Sequence, residues 1–79
     1  MKQLYRWNDL EIVEENGRYF VIYDAGAHQV VWRRDEVTEA QARCAMAGSD
    51  AATALLFQIQ HALEASGVDP YVSNYEKKS

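Results

Sequence analysis

The chain holds a single cysteine, Cys44, so no internal disulfide can form, and a reducing, cytoplasmic setting is expected. Histidine is almost as scarce, with only His28 and His61. Neither pairs with the other or with Cys44 at a ligand spacing such as two histidines four apart on a helix, so no metal or cofactor is expected. The four glycines, Gly17, Gly26, Gly48 and Gly67, are scattered at turns and helix ends, which leaves no glycine-rich phosphate loop. Long apolar runs are missing too. The longest helical one, from Ala51 to Phe57, is broken by Thr53 and is far too short to span a bilayer. The stretch from Met1 to Asp9 lacks the continuous apolar segment of a signal peptide. An excess of basic charge is also absent. A formal net charge of −4 disfavours nucleic acid and anionic membrane as the main partner.

What remains is a short chain that can fold. Its 79 residues make one domain, and a domain of this size buries only about 60–65% of its unfolded surface. Hydrophobic residues make up 48% of it and aromatic ones 11%, more than a disordered chain carries. Glu15-Asn16-Gly17-Arg18 is the clearest local signal, since Asn-Gly supplies the positive φ angles of a type I′ hairpin turn. In that register Glu15 faces Arg18, Val13 faces Phe20, Ile12 faces Val21 and Leu10 faces Tyr23. The second strand runs from Arg18 to Tyr23, turns around Asp24-Ala25-Gly26 and leads into a third strand from about His28 to Arg33. A three-residue and a four-residue loop both fit that turn. The four-residue form, through Ala27, is preferred because it groups Val30 and Trp32 with Tyr19 and Val21.

Helices follow. Thr38-Glu39-Ala40-Gln41 has the spacing of a capping box, and Gly48-Ser49-Asp50 reads as a stop followed by a new start. In the second helix Ala52, Leu55, Leu56, Ile59, Ala62 and Leu63 form one apolar stripe. Gly67, Val68 and Pro70 end it in a Schellman pattern. The expected fold is α+β: a three-stranded antiparallel meander over about residues 4–34, two helices over about 38–66 on one face of it, and a tail over 68–79.

No catalytic constellation stands out, and a non-catalytic protein is expected. Glu14-Glu15 and Asp35-Glu36 have ordinary explanations as turn and helix-start residues. Arg18, Arg33 and Arg34 lie near Tyr19, Phe20, Tyr23 and Trp32, a mixture that can stack single-stranded bases, but Glu14, Glu15, Asp35 and Glu36 offset the charge. More telling is Tyr19-Phe20-Val21-Ile22-Tyr23, which is apolar on both faces and therefore reads as a central strand covered on both sides. The helical stripe covers one face. The other is expected to be covered by Tyr5, Trp7, Tyr71 and Tyr75, or by another protein, above all a second copy. Phe57 falls on the polar side of its helix beside His61, which favours the second copy. The candidate interface of a homodimeric interaction module is thus Val13, Phe20, Ile22, Phe57 and His61. The alternative is a small-molecule pocket lined by Tyr19, Tyr23, Trp32 and Phe57.

Overall fold

The computed structural model of the chain describes residues 2–26 and 29–76. Four strands, β1 (Lys2–Trp7), β2 (Leu10–Glu15), β3 (Arg18–Asp24) and β4 (Trp32–Val37), precede two helices, α1 (Glu39–Ala45) and α2 (Ser49–Ala65). The sheet is antiparallel throughout in the order β1-β2-β3-β4. The Asn16-Gly17 turn forms as expected, with φ of 54° and 78°, and the β2–β3 register pairs Glu15 with Arg18, Val13 with Phe20 and Ile12 with Val21.

The expected three strands are four. β1 closes on β2 through Asn8-Asp9, where Asn8 takes a φ of 53°. A bulge between Gln3 and Tyr5 shifts the register within β1, so its side chains do not keep one alternating phase along the strand. That bulge and the basic residues Lys2 and Arg6 also protect this outer edge of the sheet against pairing with another chain.

The third expected strand is displaced. Its first residue, His28, lies outside the described residues together with Ala27, and β4 begins only at Trp32. Asp24 is the reason. Its Oδ1 accepts hydrogen bonds from the Gly26 amide at 2.9 Å and the Val31 amide at 2.8 Å, while the Ala25 amide donates to the Val31 carbonyl. This carboxylate closes a longer loop and turns Ala25 and Val31 into the core. Tyr19 therefore pairs with Val37, Val21 with Asp35 and Asp24 with Trp32. Trp32 lies across from Asp24 and shares its face of the sheet, opposite to that of Tyr19 and Val21.

One face of the sheet meets the helices. Leu10, Ile12, Val21, Tyr23 and Val37 pack there with Ala42 and Ala45 of α1 and Ala52, Leu55 and Ile59 of α2. Full burial of an aliphatic side chain of this kind contributes about 1.5–3 kcal/mol. Leu56 and Leu63 pack against the same cluster, whereas Ala62 stays exposed at the stripe's margin. Thr38 and Gln41 complete the capping box in both directions, and the chain breaks between the helices at Met46–Gly48. Val68 donates to Leu63 and Gly67 to Glu64, the two bonds of a Schellman motif. Among the described residues, no helix is long and apolar enough to cross a membrane.

Two glycines separate the two kinds of turn energetically. Around Gly17 no atom lies within 4 Å of an added Cβ, so Gly17→Ala bears only the strain of φ +78°, about 1 kcal/mol. A Cβ on Gly26 would lie 1.6 Å from the Gln29 carbonyl oxygen, and Gly26→Ala is expected to lose about 3 kcal/mol through overpacking. Urea midpoints check the order. A Gly26→Ala chain as stable as Gly17→Ala would show that the Asp24 loop is not closed in this way.

Candidate functional site

The structure sorts the notable side chains into three groups. The first lies on the helix-facing side of β3 and β4. Arg33, 4% exposed, sets a two-pronged contact on Asp35, with Nε to Oδ2 at 3.0 Å and Nη2 to Oδ1 at 2.9 Å. Residues two apart on a strand share a face, which places both groups side by side. The Tyr23 hydroxyl donates to Asp35 Oδ2 at 2.6 Å and the Asn74 amide to Oδ1 at 3.3 Å. Arg33 Nη1 donates in turn to the carbonyl of Val72. A carboxylate has about four acceptor positions, and these four bonds occupy them. Such a carboxylate joins strands and tail; it is not free to take a proton from a ligand.

Burial pushes the Asp35 carboxyl up, but the hydrogen bonds from Arg33 and Tyr23 together outweigh it and hold the group below the ordinary carboxylate range. Burial, followed by the bond to Asp35, raises the Tyr23 hydroxyl well above its usual value. Both groups thus keep the protonation states that the network uses.

The second group lies on the opposite face of the sheet. Val13 and Ile22, 0% and 2% exposed, are already buried within a single chain. Their cross-strand neighbours include Gln3, Phe20, Glu11 and Arg34. The Arg34 guanidinium lies 3.9 Å and that of Arg18 5.5 Å from the centre of the Phe20 ring. Arg18 pairs with Glu36 at 2.6 Å and Arg34 with Glu15 at 2.7 Å. The three arginines weighed as a base-stacking patch therefore each hold a carboxylate, and Arg33 is on the other face. Tyr5 packs against the helix-side core and Tyr71 is exposed, so neither forms the expected cover of this face.

The third group is on the outer side of the helices. Phe57 is 58% exposed and His61, one turn on, is exposed with it. Their direction is opposite to that of Ala52, Leu55 and Ile59, which face the sheet. A groove between α1 and α2 is lined by Ala40, Gln41, Cys44, Ala51, Ala54 and Gln58, and Phe57 is not part of its lining. Cys44 is exposed to solvent there. The candidate interface is thus split between two opposite surfaces, Val13, Phe20 and Ile22 on one and Phe57 and His61 on the other. The residues of the alternative pocket do not meet either. Tyr19 and Tyr23 are on the helix side of the sheet, Trp32 on the far side and Phe57 on the outer face of α2.

Among the described residues, no three histidine, cysteine or acidic side chains converge to hold a metal ion. No family model, curated protein or solved structure matches the chain.

The buried pair makes a prediction in pH. A carboxyl whose folded-state pKa is depressed stabilises the fold above its unfolded value, near 3.9, and that stability is lost as pH falls through the lower folded value. Asp35→Asn strands the Arg33 charge and is expected to lose about 3 kcal/mol or more at neutral pH. It should also flatten the stability profile between about pH 5 and pH 2. Urea midpoints of the two chains across that range check this, and parallel profiles would count against the network.

Proposed function

We propose that the chain is a small non-catalytic interaction module that acts as a homodimer through the outer face of its helices. The observations that support this reading are Phe57, a large exposed ring on α2, and a separate groove between α1 and α2 lined largely by small side chains. That groove has a volume of about 280 Å³, and it lies below the usual range for small-molecule pockets, about 300–1,000 Å³. Its size and its alanine lining suit a single apolar side chain better than a metabolite. A two-fold axis next to Phe57 would let each copy place its ring against the other's groove, the self-complementary arrangement of an isologous dimer. His61 would then lie at the rim. Burial of about 600–800 Å² per subunit would approach the standard interface size and support a thin core. A reducing, cytoplasmic setting is part of the proposal, on the basis of the one unpaired cysteine.

Sedimentation equilibrium at micromolar concentration tests it. The wild type is expected at twice 9.0 kDa, and Phe57→Glu, which would bury an unpaired carboxylate, at least tenfold more dissociated. A wild type that remains at 9.0 kDa over the whole range would sink the proposal.

A further inference from the structure

The sheet has two edges, and the chain treats them differently. β1 carries its own bulge and basic side chains, whereas β4 is regular along its pairing with β3 and is covered by the tail. The cover consists of side chains that imitate a neighbouring strand. Asn74 Oδ1 accepts from the Arg34 amide at 2.7 Å, and Asn74 Nδ2 donates to the Arg34 carbonyl at 3.0 Å. Ser73 Oγ donates to the Trp32 carbonyl at 2.7 Å. Among the described residues, no backbone–backbone ladder joins the tail to β4. Tyr71 and Val72 remain more than half exposed, so this cover gains little from apolar burial.

We infer that the outer edge of β4 is a strand-pairing surface for a second copy of this chain, and that residues 71–76 are its built-in competitor. An uncovered edge offers outward N–H and C=O groups to any extended segment, and β4 of a second copy is a segment whose charges match it. Antiparallel pairing with Asp35 on the two-fold axis sets Arg34 opposite Glu36 of the second copy, and Glu36 opposite its Arg34, so each charge, already paired in its own chain with Glu15 or Arg18, gains a second neighbour of opposite sign. Moving the axis to Arg34 would set two arginines against each other. The Asp35 carboxylates that meet at the chosen axis are each neutralised by their own Arg33. The second copy would supply the backbone ladder that the tail lacks. The inference does not depend on the helical-face dimer. If both surfaces operate, opening the edge would extend dimers into open chains, and the tail would set the point where assembly stops.

The test uses the full-length chain in the Phe57→Glu background, so that edge pairing is read as a change against that background. Ser73→Ala with Asn74→Ala is expected to strengthen self-association at least tenfold in sedimentation equilibrium. Asn74→Asp, which sets a second carboxylate beside Asp35, is expected to act in the same direction and guards against a fold-specific failure of the first variant. Adding Arg34→Glu to the tail variant should weaken association about tenfold, and adding Glu36→Arg to that should restore it. Circular dichroism confirms that each chain is folded. Tail variants that associate no more than the background, while their Arg34 amide exchanges freely, would overturn the inference and leave the edge to an extended segment of another protein. Failure of the reversed charges to restore association would overturn it as well.

Discussion

A guanidinium that is 4% exposed has to be paired, and the arrangement around Arg33 follows from that constraint. Its carboxylate partner, Asp35, is two residues along the same strand and needs no long-range search to find. The pair then recruits Tyr23 from the central strand and Val72 and Asn74 from the tail. One buried charge thereby connects the third strand, the fourth strand and the C-terminal segment. A thin domain obtains long-range order here from polar groups. Its hydrophobic cluster, made of aliphatic side chains, alanines and the Tyr23 ring, holds the sheet to the helices.

The same network explains how the tail is held although Tyr71 and Val72 are exposed. Tyr71 contributes little burial, and the tail is tied down by backbone and amide groups at Val72, Ser73 and Asn74. This is also why the edge of β4 is closed by side chains. Arg33 holds the tail in position from the core side, and Asn74 reaches the edge groups of the next residue, Arg34. The proposed dimer face and the β4 edge are separate surfaces, so assembly through one leaves the other available.

Much of the fold was legible from local chemistry. The Asn16-Gly17 turn, the capping box at Thr38, the break before Ser49 and the end at Gly67 each depend on a few adjacent residues, and each forms where expected. The first strand was not legible because its bulge breaks the period of two and Asn8-Asp9 is a weaker turn signal than Asn-Gly. The fourth strand was misplaced because the Asp24 carboxylate captures amides two and seven residues away, a choice that alternation does not report. That shift hid the buried pair. With the strand ended at Arg33, Asp35 read as a helix-start residue, and no i, i+2 relation on a strand was available to connect the two. The two-sided character of Tyr19–Tyr23 was real, since β3 is central and Ile22 is buried on the far face. The monomer itself buries Val13 and Ile22, which is why the proposed interface moves to Phe57.

The central claim is that one buried ion pair holds β4 and the tail as a unit, and native-state hydrogen exchange tests it most directly. The Arg34 amide is the reporter, because its hydrogen bond goes to Asn74. In Arg33→Leu, at a dilution where the chain does not self-associate, the account predicts that this amide loses at least tenfold of its protection, while the amides of β2 keep theirs. An Arg34 amide as protected in Arg33→Leu as in the wild type would contradict the account.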